Sequence, residues 1–215
     1  MKRPFVITID GLTASGKGTL ASKIARKLGF DYMDTGALYR GTAKTALDMG
    51  LSPAVAQEAV EAAQSLRQNY DLSLQDDPAI RTEAVSKGAS EVGAVPEVRA
   101  ILLDIQKDFA KRDVKGVVIE GRDIGTVICP DADVKLFIEA SAETRAQRRF
   151  KQLRDKGMDA EYEEILRQLH IRDGRDSGRS IAPTKPAEDA HIIDTNDMTA
   201  QEVLDKALEV IKRVR

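Results

Sequence analysis

FVITIDGLTASGKGTLASKIARKLG, residues 5–29, decides the fold. Phe5 to Ile9 is a short, β-rich, nearly all-apolar run, as expected of a strand buried on both faces. A glycine-rich turn follows, then a helical pattern from about Gly16 to Leu28, with Gly29 as C-cap. Within the turn, Gly11, Gly16 and Lys17 have the spacing of a P-loop. The glycines let backbone N–H groups turn inward around phosphate, the lysine reaches the β- and γ-phosphates, and the following helix presents its positive N-terminus. Gly11, Leu12, Thr13, Ala14, Ser15, Gly16, Lys17, Gly18 and Thr19 are therefore the expected cradle for a donor nucleotide. Gly18 stands where the generic motif has the Ser or Thr that ligates Mg²⁺, and the hydroxyl comes one place later, at Thr19. The expectation is Mg²⁺ held mainly through phosphates and water, with no protein metal ligand.

GKGTLA also fits the dinucleotide pattern G-x-G-x-x-A. That pattern begins at the strand end, whereas Gly16 lies seven residues beyond Ile9, so the dinucleotide reading is rejected. The absence of an NKxD sequence argues against a GTPase switch.

Working outward, residues 30–33 read as a second strand, GVVIE (116–120) and VKLFI (134–138) as further buried strands, and 191–193 as a last one. Helical patterns cover about 37–49, 53–66 (with Ser52 as N-cap and Pro53 at the first position), 79–92, 96–111, 142–156 and 160–173. A final helix starts at Thr199, where Glu202 completes a capping box. Tyr70, Leu72 and Leu74 alternate as in a brief strand. Strands alternating with helices predict an α/β fold with a mostly parallel sheet. Two regions are excursions from this core: roughly 35–112, and the arginine-rich stretch RDGRDSGR at 172–179.

The 215 residues fit a single domain with insertions, and no repeat, low-complexity tract or linker interrupts them. A net charge of -2 gives no global basic field for nucleic acid, and 4% aromatics leave little for base-stacking platforms. One cysteine, Cys129, excludes a disulfide framework and suggests a reducing compartment. The two histidines, His170 and His191, are far apart, which argues against zinc. The N-terminal apolar run is too short for a signal peptide, and no stretch approaches a membrane span. The expectation is a soluble, cytoplasmic protein.

In RDGRDSGR, Arg172 and Asp176 at i,i+4 suit a solvated helix face, whereas three arginines in eight positions suit an anion that comes and goes. The stretch alone leaves both readings open. Arg122 and Asp123 follow a predicted buried strand, at the carboxyl edge where open α/β sheets bind ligands. Arg145, Arg148 and Arg149 share one helix and suit either a donor contact or a solvated face.

Four further blocks carry a family resemblance. DTGALYR (34–40), IRTEAVSKGASEVGAVPEVR (80–99), EGRDIGTVICPDADVKLFIEAS (120–141) and RDGRDSGRSIAP (172–183) occur in the order and spacing of the bacterial cytidylate kinase family, which the chain resembles nearly end to end. The GKGT form of the loop is typical of nucleoside monophosphate kinases. The resemblance implies a P-loop NTPase-type sheet with a helical acceptor subdomain at about 35–112 and a mobile lid at about 155–182.

It also implies roles for residues. Thr35 and Arg40 would lie beside the acceptor nucleotide, with Arg40 on its phosphate. Ser90, Arg99 and Asp123 would read the cytosine edge, and Arg122 would hold the acceptor phosphate. Arg172 and Asp176 would contact the ribose and its surroundings, and Arg179 the phosphates. Lys17, Arg122, Arg172 and Arg179 would be catalytic. Cytosine offers an N4 donor and O2/N3 acceptors, so a carboxylate or hydroxyl plus a cationic donor is the matching chemistry.

The implied reaction is ATP + CMP (or dCMP) to ADP + CDP (or dCDP), by a monomer acting on small nucleotides, without nucleic acid or membrane. Two alternatives stand beside it: a related small kinase with another acceptor, and a nucleotide-binding regulator without turnover. One departure from the family is that only YDLSLQDD (70–77) precedes Pro78, where many members carry a longer insertion with a small β-hairpin.

Overall fold

Continuous apolar runs of four to seven residues, punctuated by glycine and acid residues, build a sheet buried on both faces. The computed structural model describes residues 3–155, 157–178 and 182–215. Its strands are β1 (Phe5–Gly11), β2 (Asp31–Asp34), β3 (Gly116–Gly121), β4 (Val134–Glu139) and β5 (His191–Asp194). They form one sheet in the order β2-β3-β1-β4-β5, with every neighbouring pair parallel. In register, Asp10 stands opposite Gly121, and Asp34 opposite Glu120. The carboxyl ends of β1, β2 and β3 thus bring three acids and two glycine turns to one edge.

Helices cover both faces, as parallel connections require. On one, α1 (Lys17–Leu28) and α8 (Ala200–Val214) pack Leu20, Ile24, Leu204 and Ile211 against Ile7, Ile9 and Leu136. The opposite face carries α5 (Pro96–Ala110), whose Phe109 joins Val6, Val117 and Ile119. The 35–112 excursion adds α2 (Thr35–Asp48), α3 (Ala56–Gln68) and α4 (Glu83–Val92), which share with α5 an apolar cluster of Leu38, Ala59, Leu66, Val98 and Leu102. A helical pair, α6 (Ala142–Asp155) and α7 (Tyr162–Ser177), links β4 to β5.

Caps decide several boundaries. Gly29 ends α1 in the left-handed conformation, and Thr199 with Glu202 forms the full capping box of α8. Four expectations are corrected. Ser52 does not cap α3: the Glu58 carboxylate reaches back to accept from its amide at 2.6 Å, and the helix begins only at Ala56. No strand forms at 70–74. Asp71 accepts from the Ser73 amide at 2.8 Å and nucleates a 3₁₀ turn at Leu72–Asp76, a local bond that outcompetes the alternation of apolar residues. The 79–92 pattern splits into a 3₁₀ turn at Pro78–Arg81 and α4, because Thr82 caps the latter by accepting from Val85 N–H. The helix expected to stop at 173 runs on to Ser177, so most of the arginine-rich stretch is helical.

Candidate active site

The loop between β1 and α1 is shaped for an anion. Ala14 and Gly16 take positive φ values of 61° and 92°, which turns successive amides toward one side. The first turn of α1 carries no acidic side chain, and Gly16 offers none to cap it, so its N–H groups face outward unneutralised. The Ser15 hydroxyl is buried and has no hydrogen-bond partner among the described residues. Lys17 donates to the Leu12 carbonyl at 3.4 Å and lies 3.9 Å from Glu120. Burial, and next the nearby Arg122 guanidinium, push its pKa down to about 8. Triphosphate oxygens fit this cradle, since they would satisfy the amides and stabilise the ammonium.

Glu120 and Asp34, to which the sequence analysis assigned no role, form the floor beside Lys17. Glu120 is 6% exposed, and its Oε2 has no hydrogen-bond partner among the described residues. Burial, with the Asp34 carboxylate adding to it, pushes its pKa up to about 7. Asp34 is held below the usual carboxylate range: burial works against ionisation, but Arg40, at 2.6 Å, and Lys17 outweigh it. A Cβ placed on Gly18 would lie 3.0 Å from Glu120 Oε1, so the carboxylate occupies the space of the missing P-loop side chain. A hard cation with its waters fits this pair, and a protein-only cage does not: among the described residues no group of three or more potential ligands forms. The available signal was an acid closing each of two apolar strands.

Of the residues expected to meet the acceptor, Thr35, Arg40, Arg99 and Arg122 make contacts at this edge. Thr35 opens α2, and its buried hydroxyl donates to the Glu120 carbonyl at 2.8 Å. Arg40 holds Asp34, while its buried Nε has no partner. Arg99, at the start of α5, meets the Asp123 carboxylate at 2.5 Å and lies 5.7 Å from the centre of the Tyr39 ring. Ser90 on α4 is buried, with its hydroxyl unpartnered. Arg122 donates to the Gly11 carbonyl at 3.2 Å and to the Thr13 hydroxyl at 2.5 Å.

The α6–α7 pair contributes the remaining charges. Asp176 on α7 is buried and lies 3.1 Å from Arg122, and Arg172 is near enough to Lys17 to lower its pKa. Arg145 is also buried. It donates to the Thr13 and Ala140 carbonyls and grips Asp173 of α7 with both terminal nitrogens, at 3.1 and 2.6 Å. A solvated face is therefore wrong for Arg145, and wrong for Arg148, which donates to Thr195; it fits Arg149, whose contact is Gln152 one turn on. Arg179 lies outside the described residues. No described helix is long and apolar enough to cross a membrane.

A P-loop closed by buried acids, beside a helical excursion lined with arginines and set on a 2-3-1-4-5 parallel sheet, defines a P-loop kinase. The chain belongs to the cytidylate kinase family, whose sequence model matches residues 7–213. It is 47% identical over 209 residues to the cytidylate kinase of Rhodospirillum rubrum, covering 96% of both chains. It is 46% identical over 208 residues to that of Paramagnetospirillum magneticum, covering 96% of this chain and 97% of the relative. Among solved structures, a gluconokinase from Sinorhizobium meliloti shares the fold, with a TM-score of 0.51 at 14% identity over 99% of this chain and 94% of the other. An uncharacterized protein from Eubacterium ventriosum does so with 0.56 at 15%, covering 97% and 98%.

Proposed function

We propose that the chain transfers the γ-phosphoryl group of ATP to CMP, giving ADP and CDP, with dCMP as a second acceptor. The observation that carries this reading is the junction after β3. Arg122 donates to two groups of the donor loop, Gly11 and Thr13, while the next residue, Asp123, pairs with Arg99 of the acceptor excursion. Two consecutive residues therefore tie the donor cradle to the acceptor wall.

In this reading Asp123 accepts from cytosine N4, while Arg99 and Ser90 donate to O2 and N3. Arg40 and Arg122 hold the acceptor phosphate. That phosphate is already anionic at neutral pH, so no strong general base is needed. One of its oxygens attacks the γ-phosphorus, the bond to the bridging oxygen breaks, and ADP leaves with the electron pair. Lys17 and the loop amides hold the donor, and Arg172 and Arg179 neutralise charge on the transferring group. Glu120 and Asp34 would hold Mg²⁺ through its waters, where it supplies further neutralisation of the β- and γ-oxygens. Residues 35–112 act as the acceptor subdomain and 155–182 as a lid that excludes water. The protein acts as a monomer in the cytoplasm, on small nucleotides alone.

The test is ADP release from ATP with a panel of monophosphates. CMP and dCMP should turn over well ahead of UMP, AMP and GMP. Preference for another acceptor would replace this reading with a related kinase, and tight binding of both nucleotides without ADP release would make the chain a regulator.

A further inference from the structure

The last residue but one of β1 is Asp10, a buried carboxylate with no part in the reaction above. One of its oxygens accepts from the Ile124 amide and the other from the Gly125 amide, each at 2.8 Å. These amides open the single π-helical turn Ile124–Ile128. The residue before that turn is Asp123, with φ -142° and ψ 26°, in the place where an aspartate ordinarily caps its own helix by accepting from the amides that follow. Asp123 makes no such bond. Its carboxylate meets Arg99 instead.

The cap is thus supplied by the neighbouring strand, where Asp10 stands opposite Gly121 in register. The Asp123 carbonyl accepts from the Val127 amide at 2.9 Å, so the backbone of the recognition residue is part of the capped turn. We infer that Asp10 is a positioning residue for the acceptor base: by capping the turn from outside, it leaves the Asp123 carboxylate free to face Arg99 and the nucleotide. The inference rests on the reading of Asp123 as a cytosine contact.

A purely structural cap would not need this chemistry. Burial pushes the Asp10 carboxyl up to about 6, and Asp123 adds to that push, although the two amides pull against it. A neutral hydroxyl or amide would avoid the cost of a buried charge, but it offers one oxygen where the turn presents two amides. Only a carboxylate accepts from both amides with no donor of its own turned toward them. Without it, Asp123 becomes the nearest available cap and turns away from Arg99.

The experiment compares Asp10→Asn, Asp123→Asn and the double variant. Asp10→Asn should raise the KM for CMP about tenfold, equivalent to one hydrogen-bonded contact at about 1.4 kcal/mol, while the affinity for an ATP analogue stays within about twofold. In the Asp123→Asn background the same substitution should add almost nothing to the KM for CMP, because its route is already removed. Equal losses of ATP-analogue and CMP binding, or additive effects in the double variant, would overturn the inference. If Asp123→Asn leaves the KM for CMP unchanged, the cytosine reading itself fails, a separate and recognisable outcome. Hydrogen exchange on the unmodified protein gives a second test that needs no variant. The Ile124 and Gly125 amides should be protected, and CMP should slow them further where the ATP analogue alone does not. Fast exchange at these amides, or an equal response to both ligands, would overturn the inference.

Discussion

The guanidinium of Arg122 lies 3.1 Å from the Asp176 carboxylate and also donates to the Gly11 carbonyl and the Thr13 hydroxyl. One planar cation therefore touches the donor loop and α7 at once. Lysine offers a single point charge and cannot keep these contacts together. Arg122→Lys should lower kcat by about 10² to 10³, the range for losing one preorganised donor to a developing anion. Affinity for an ATP analogue should change much less. Steady-state turnover and analogue titration check the split.

Lys17 predicts a proton balance. Its pKa is pushed down to about 8 in the free protein, so it is partly deprotonated at pH 8.5. Bound triphosphate favours the charged form and raises the pKa, so ATP should take up a fraction of a proton on binding. Calorimetry at pH 8.5 in buffers of different ionisation enthalpy should show net uptake, and Lys17→Met should abolish it.

Gly18 tests the crowding beside the loop. In Gly18→Ser the new Cβ lies 3.0 Å from Glu120 Oε1, so the generic hydroxyl is unwelcome here. Affinity for ATP with Mg²⁺ should fall about tenfold, at the lower end of overpacking costs. Gly18→Ser combined with Glu120→Ala should bind ATP without Mg²⁺ better than Gly18→Ser alone, because the crowding oxygen is gone and no metal contact enters the comparison.

The α6–α7 pair buries little apolar surface: Ala146 on one helix and Leu169 on the other are its fully buried apolar residues. Arg145 and Asp173 tie the two helices to each other, while the Asp176–Arg122 pair and the Arg145 bond to the Thr13 carbonyl hold them to the body. Elements with so few buried apolar contacts open cheaply. Amides of 162–177 should exchange quickly in the free protein and at least about tenfold more slowly with an ATP analogue plus CMP. Equal protection in both states would show that the pair does not move.

Much of this architecture was legible in the chain because it is local. Short apolar runs ending in a glycine or an acid marked the strands, and Gly29 and Thr199 marked helix ends whose caps are built from near neighbours. Local bonds also produced the misses. Glu58 reached back to Ser52, and Asp71 closed its own turn, each by one short hydrogen bond that periodicity does not register. For the site, the order of blocks singled out Arg99 and Asp123, which the fold sets against each other. It gave no hint that Asp10 would cap a turn 114 residues away or that Arg145 would be buried under α7. Such partners become visible only when the sheet sets β1 beside β3 and α6 over the loop.

The path of α5 has a consequence for how selectivity is built. Arg99 stands in its first turn, Val98 and Leu102 belong to the acceptor cluster, and Phe109 near its end is anchored against Val6 and Val117 of the sheet. At 1.5 Å per residue, Arg99 and Phe109 are about 15 Å apart along one stiff rod. On the proposed role of Arg99 in reading the base, discrimination is coupled to hydrophobic packing at the far end of a lever. Trimming Phe109 to a smaller residue should tilt the rod and loosen the grip on cytosine without touching any group that meets the nucleotide.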